Sequence, residues 1–288
     1  MTDTPRPIIS LLTDFGVSGS YVGAMKGVLL GIVPDAHLVD ISHQVAAQDV
    51  HEAALIIASV YQYFPAHTVH LIVIDPGVGG KRRPIAVQTP HGYFVAPDNG
   101  VLTYVLLKEP EFMAVALENP AYQRPNPSYT FHGRDIFSPS AAHLASGVKL
   151  ESLGPVIHDL ERLALPKLRV MPGHIQGEVV HIDRFGNILT NIMQLQWVSE
   201  EMLKLEPLGP HEADATPVEF SCLTAEITLG WRNIKGIYHT YSEVPVGHSL
   251  ALIGSNGELE VAVNQGSASA QLAVQVGDPV SLRLGPPL

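Results

Sequence analysis

The side chains able to do chemistry gather where apolar runs end. Asp14 follows the run at 7–12, Ser42 and His43 follow 37–41, and residues 75–83 follow the β-branched run 68–74. Asp98-Asn99-Gly100 ends a further apolar arm, and Phe131-His132-Gly133-Arg134-Asp135 stands just before Ser138-Pro139, a good start for a helix. Ionisable groups gathered at such ends are the kind that bind ligands and move protons. Each cluster alone has a plainer explanation. Asp-Pro-Gly and Asp-Asn-Gly are turn sequences, Asp75 with Arg82 makes a salt bridge capping a strand, and His132 serves as a loop donor. Turn chemistry accounts poorly for so many ionisable groups at strand ends in a chain with only 16% charged residues.

The elements that must carry these groups alternate. The run 7–12, 37–41 and 68–74 read as strands, 21–32 as a helix, and 49–64 as an amphipathic helix with Val50, Ala53, Ile57 and Tyr61 on one face. The stretch 87–96 reads as a tight hairpin. An all-apolar strand such as 68–74 suits a parallel sheet covered on both faces, and strand-helix alternation is the pattern of a doubly wound α/β domain. In such sheets ligands bind beyond the carboxyl ends of the strands, where the clusters stand. After about residue 150 the grammar changes. Residues 153–173 carry Pro155, Pro166 and Pro172 with little periodicity and read as a linker. Short alternating runs follow at 175–182, 188–192, 250–253 and 259–263, separated by Gly and Asn turns, as in a small β-barrel. The expected organisation is α/β: an N-terminal Rossmann-like domain with a parallel-rich sheet over 1–152, a linker at 153–173, and a smaller C-terminal β-barrel domain over 174–288. Residues 199–217, rich in Glu and Pro, read as a surface excursion without a motif.

Composition removes several classes of function. The net charge of −11 and the lack of a basic face argue against nucleic acid as a partner. One cysteine, Cys222, allows neither an intramolecular disulfide nor a thiolate metal cluster. The N-terminus lacks the pattern of a secretory signal, and no apolar stretch reaches the ~18 residues of a membrane span, so a cytoplasmic enzyme without membrane contact is expected. Asp14-Phe15-Gly16 lacks the glycine-rich and catalytic loops that would precede it in a kinase. Gly77 to Lys81 lacks the spacing of a phosphate-binding loop, and no G-x-G-x-x-G or H-E-x-x-H occurs. On the residues alone a two-metal site from Asp14, Asp75, His132 and Asp135 stays open, because their spacing is not diagnostic.

The strings LLTDFG at 11–16, YVGAMKGV at 21–28, DISHQV at 40–45, VIDPGVGGKRR at 73–83, APDNG at 96–100 and FHGRDIFSP at 131–139 resemble the S-adenosyl-L-methionine hydrolases (adenosine-forming). DRFGNILTNI at 183–192 and GSNGELEVAVNQGSA at 254–268 extend the likeness into the second half. This family, also called the SAM hydroxide adenosyltransferases, is related to the fluorinase and chlorinase. The resemblance implies a Rossmann-like domain followed by a β-barrel, and a homotrimer with the substrate between the N-terminal domain of one subunit and the C-terminal domain of its neighbour. It implies a water-activating triad at Asp75, Arg82 and His132, and a grip by Asp14 on the ribose diol. Asp183, Phe185 and Asn187 match positions around the methionine part and the adenine, with Ser255 and Asn256 on the adenine-side turn.

The implied reaction is cleavage of S-adenosyl-L-methionine to adenosine and L-methionine, with no metal and no cofactor. A sulfonium is already a good leaving group, so the protein must place one water in line behind C5′ and exclude the rest. Arg82 would keep Asp75 ionised, and His132 would take or relay the proton of the attacking water. Three rivals remain. A halogenase delivering chloride or fluoride to the same carbon would replace the triad with a small dehydrating pocket. A non-catalytic S-adenosylmethionine or adenosine sensor would keep only the binding residues, and a metal-dependent phosphoesterase would need chelatable metal.

Overall fold

The computed structural model describes residues 6–206 and 217–285. Most of the excursion expected at 199–217, residues 207–216, lies outside the described residues. The chain divides into two compact units, Met1–Leu163 and Ala164–Leu288.

In the first unit, seven strands form one sheet: β1 (Ile8–Thr13), β2 (His37–Ser42), β3 (Thr68–Val73), β4 (Pro84–Gln88), β5 (Gly92–Pro97), β6 (Met113–Ala116) and β7 (Val156–Ile157). Their spatial order is β2-β1-β3-β5-β4-β6-β7. The first four in that order are parallel, while β4, β6 and β7 add antiparallel pairings at one side. β3 lies in the middle of the parallel half and all six of its residues are buried, which explains its unbroken apolar character. Val69, Leu71 and Val73 pack with Met25 and Leu29 of α1 (Tyr21–Ile32) and with Ala141, Ala142 and Leu144 of α4 (Ser138–Ala145). Ile72 and Ile74 point to the other face, with Ala53 and Ile57 of α2 (Val50–Val60) and Val105 and Leu106 of α3 (Thr103–Lys108). α2 starts where Asp49 accepts the Glu52 N–H at 2.9 Å while the Glu52 carboxylate reaches back to the Ala46 N–H at 2.7 Å.

The second unit is almost wholly antiparallel. Its strands are β8 (Arg169–Met171), β9 (His174–Ile182), β10 (Ile188–Thr190), β11 (Leu195–Trp197), β12 (Met202–Leu205), β13 (Val218–Leu229), β14 (Arg232–Lys235), β15 (Ile237–Tyr238), β16 (Ser249–Ile253), β17 (Leu259–Val263) and β18 (Pro279–Gly285), with α5 (Ala268–Leu272) between the last two. They run β11-β12-β13-β18-β9-β10-β17-β16-β15, with β14 on β13 and β8 on β9. This curled sheet wraps one core that includes Ile175, Val179, Phe220, Ile227, Val261 and Leu282, the barrel-like wrap expected. The stretch read as a linker is not structureless: β7 closes the edge of the first sheet and β8 pairs with β9. Two- and three-residue pairings leave no periodicity to read. Among the described residues no helix is long and apolar enough to cross a membrane.

Candidate active site

Parallel register brings the clusters to one edge. Thr13 pairs with Val73 and Leu12 with Ser42, so Asp14, His43 and Asp75 all leave the carboxyl ends of neighbouring strands. After Asp75 the chain turns twice, with Val78 N–H donating to the Asp75 carbonyl at 3.2 Å and Gly80 N–H to that of Gly77 at 3.0 Å. It then enters β4, and this return brings Arg82 back over Asp75. Gly79 is required in this loop. It adopts φ +73, and a Cβ there would lie 2.4 Å from the Tyr129 carbonyl oxygen. The loop thereby seats against the segment leading to His132, which stands just before a π turn, Gly133–Phe137, that runs into α4. π turns of this kind re-aim side chains and are frequent at functional sites. Gly133 lets the turn lie close on β3, since a Cβ there would be 3.3 Å from both Val73 and Met25.

Arg82 joins the other two. Its Nε donates to Asp75 Oδ1 at 2.7 Å, one terminal nitrogen forms a close ion pair with Asp75 Oδ2, and the same nitrogen lies 2.8 Å from His132 Nδ1. The Arg82 and Asp75 side chains are only 9% and 6% exposed, and the guanidinium carbon sits 5.3 Å from the centre of the Phe137 ring. A guanidinium only donates, so Nδ1 of His132 accepts and its ring proton lies on Nε2. Burial, and then the charge of Arg82, hold the His132 pKa below that of ordinary histidine, although Asp75 and Asp135 pull the other way. The imidazole is therefore neutral at neutral pH.

Asp14 accepts the Gln48 N–H at 2.8 Å through Oδ2. Beside it, Phe15, Tyr21 and Phe131 form a three-ring cluster with centroids 5.1–5.9 Å apart, and Tyr21 is 52% exposed. This apolar wall carries no local mark in the sequence. All three rings stood inside the motif strings, but nothing local signals that residues 15, 21 and 131 meet.

Neighbouring charges are structural. Arg83 binds Asp98 Oδ2 at 2.6 and 2.9 Å and Asp159 Oδ1 at 2.8 Å, while the other Asp98 oxygen takes the Glu161 N–H. Arg134 pairs with Asp135 at 2.7 and 2.8 Å, and Asp135 also receives the Ser128 N–H. With Asp75 and Asp135 each neutralised by arginine, the two-metal arrangement loses two of its carboxylates. No cluster of three or more His, Cys, Asp or Glu suited to a metal occurs among the described residues.

In the second unit, the turn 183–187 joins β9 to β10. The Asp183 carboxylate is used inside that turn, accepting from the N–H groups of Phe185 (2.8 Å) and Asn187 (2.9 Å) and from the Asn187 side chain (3.0 Å). This presents Phe185 outward, 68% exposed, and holds Asn187 nearly buried. Both line a surface cavity of about 470 Å³ with Tyr241, Val263, Gln265 and Gly266. Tyr241 donates to Glu260 at 2.8 Å. Burial, reinforced by that carboxylate, raises the Tyr241 pKa, and burial likewise raises that of Glu260. Tyr241 was not singled out in the sequence. Ser255 and Asn256 stand elsewhere. Ile188 pairs with Val261, and the turn 254–258 lies at the far end of that ladder, where both residues are exposed and do not line the cavity.

Comparison with known proteins gives a consistent result. The N-terminal domain profile of the SAM hydroxide adenosyltransferases matches residues 9–154 and the C-terminal one residues 177–281. A protein of Thermus thermophilus named (R)-S-adenosyl-L-methionine hydrolase is 37% identical, covering 96% of this chain and 99% of its own. A fluorinase of Nocardia brasiliensis is 27% identical over 99% of both chains. A solved structure from Thermotoga maritima, described as an uncharacterized conserved protein, superposes with a TM-score of 0.83 at 37% identity, covering 96% of this chain and 99% of that one.

Proposed function

This chain belongs to the SAM hydroxide adenosyltransferase family, and from that premise we propose that it cleaves S-adenosyl-L-methionine with water to adenosine and L-methionine. The observation that carries the mechanism is the Asp75–Arg82–His132 chain at the carboxyl edge of the parallel strands. Water attacks C5′ in line, the C5′–S bond breaks, and its electron pair leaves with methionine. The new oxygen must then lose a proton. His132 Nδ1 is filled by the Arg82 donor, so its Nε2–H donates to the water and holds it. The proton passes to Asp75, whose oxygens keep lone pairs beyond those engaged by Arg82. This assigns His132 to orientation where the sequence alone suggested proton transfer. The S-adenosylmethionine sulfonium needs no acid to leave, so no cofactor enters the scheme.

Asp14 is assigned to the ribose 2′ and 3′ hydroxyls, which a carboxylate can accept as a pair. The cavity of Phe185, Asn187 and Tyr241 is assigned to adenine: an exposed ring for stacking and an amide able both to donate and to accept. Asp183 shapes that cavity from within its turn. Ser255 and Asn256, which the resemblance put on an adenine-side turn, stand exposed and off this cavity, and on that ground we reassign them to the methionine end. The family's arrangement, a homotrimer in which neighbouring subunits complete one site, is adopted for this chain. A single buried, unpaired Cys222 suits a reducing compartment, and the cytoplasm is assigned.

Halide delivery is disfavoured by the site itself. A halide must be stripped of water, whereas this edge holds a charged pair and a ring donor that bind water well. Incubating the protein with S-adenosylmethionine, alone or with chloride or fluoride, and separating the nucleosides tests the proposal. Adenosine in every case supports it, and a 5′-halogenated nucleoside overturns it. With Asp75→Ala or His132→Ala, turnover is lost while S-adenosylmethionine still binds.

A further inference from the structure

Asp14 does not hold its place alone. The connection from β2 to α2 ties down its surroundings at two points, with Gly16 N–H donating to the His43 carbonyl at 2.7 Å and Gln48 N–H to Asp14 itself. Gln48 does so from φ +67, a conformation a non-glycine residue keeps only where its surroundings enforce it. Behind Asp14 the buried His43 ring bridges two elements. Its Nδ1 lies 2.9 Å from Thr13 Oγ1 and its Nε2 3.0 Å from Asp40 Oδ1, and Asp40 Oδ2 is 2.6 Å from Lys26 Nζ.

A carboxylate only accepts, so the His43 Nε2 that faces Asp40 carries a proton, while Thr13 Oγ1, which accepts the Phe15 N–H at 3.3 Å, shares a hydrogen bond with Nδ1. The contact with Asp40 is bent, close at 3.0 Å but without full hydrogen-bond alignment. Burial would raise the Asp40 carboxyl, but Lys26 and His43 keep it below the usual range. The result is a line of polar contacts from Lys26 on α1, through Asp40 and His43, to the residues on both sides of Asp14.

We propose that His43 is a positioning residue for Asp14: its ring locks Thr13, its carbonyl locks Gly16, and between them the carboxylate is aimed at the ribose diol. This rests on the reading of Asp14 as the ribose-binding group. A residue that merely plugs the end of β2 would affect every ligand alike, whereas one that aims Asp14 affects only ligands carrying the diol.

The test is calorimetric binding of adenosine and of 2′,3′-dideoxyadenosine to the full-length protein and its variants. Hydrogen bonds to a charged group carry about tenfold to a hundredfold in affinity. His43→Leu is expected to weaken adenosine by that factor and dideoxyadenosine by less than about twofold. Asp40→Asn, at the half-exposed end of the chain where folding is not at stake, should show the same selectivity on a smaller scale. Equal weakening of both nucleosides, or of neither, overturns the proposal. Asp14→Asn separates the two readings. If it loses the preference for adenosine while His43→Leu and Asp40→Asn keep it, only the role of His43 falls. If the native protein shows no preference for the diol, the ribose reading falls with it.

Discussion

Replacing Asp75 by Asn removes the counter-charge of a guanidinium that is 9% exposed. Taking one partner from a buried pair costs ~3–5 kcal/mol, because the other charge is left uncompensated. The Phe137 ring near the Arg82 guanidinium is there before and after the change and offsets nothing, so a loss of about 3–5 kcal/mol is expected. Replacing both partners by apolar groups of similar volume, as in Asp75→Leu with Arg82→Met, removes the orphaned charge and is expected to recover most of that loss. The double variant is then stable and inactive, which separates folding from catalysis. Urea unfolding followed by circular dichroism is the assay. It reads the unit that carries the pair, since α1 to α4 lie in the first unit whereas Trp197 and Trp231 both lie in the second. A loss below about 1 kcal/mol for Asp75→Asn, the range of exposed pairs, would refute the premise that the pair is desolvated. So would a double variant no more stable than the single ones.

Three further outcomes are expected. His70, buried in β3 with Nδ1 2.7 Å from Ser10 Oγ, has its pKa pushed down by burial to about 4. Its contribution is present above the unfolded value near 6.5 and is lost as pH falls toward 4, a loss of ~3 kcal/mol. Unfolding titrations from pH 7 to pH 4 should show it, and a His70→Phe variant that kept the full slope would contradict it. In an NMR titration of the imidazoles, His132 should titrate below ordinary histidine, higher in Arg82→Gln and lower in Asp135→Asn, following the signs of those charges. A native value above 6.5 would contradict the neutral imidazole that accepts from Arg82. Gly79→Ala, at positive φ and against the Tyr129 carbonyl, should destabilise by more than ~1 kcal/mol and depress turnover with it, whereas Gly23→Ala on α1, with open space at its Cβ, should be neutral or stabilising.

What was legible in the sequence was whatever is local. β3 was readable because burial on both faces leaves six consecutive buried residues, and α1 because its run falls between turn-forming residues. The strand-end clusters were legible because an open parallel sheet puts its polar residues there. β13 was not read as a strand. Its register shifts between Ser221 and Glu226, and its burial does not alternate cleanly, so no period-two signal survives. The contacts that give the site its shape are long-range. Thr13 meets His43, Arg83 reaches Asp159, and Phe131 closes on Phe15 and Tyr21, none of which is marked by local pattern. The inward-turned Asp183 is an intermediate case. An aspartate whose side chain binds the amide two residues on is ordinary turn chemistry, and it accounts for the carboxylate without a ligand.

The central claim, attack of water at C5′, is tested most directly by turnover of S-adenosylmethionine in ¹⁸O-labelled water followed by mass spectrometry of the nucleoside. The account predicts adenosine carrying the label at its 5′ oxygen, with methionine released in equal amount and no dependence on halide. A 5′-halogenated nucleoside, adenosine without label, or no turnover by the native protein would contradict it.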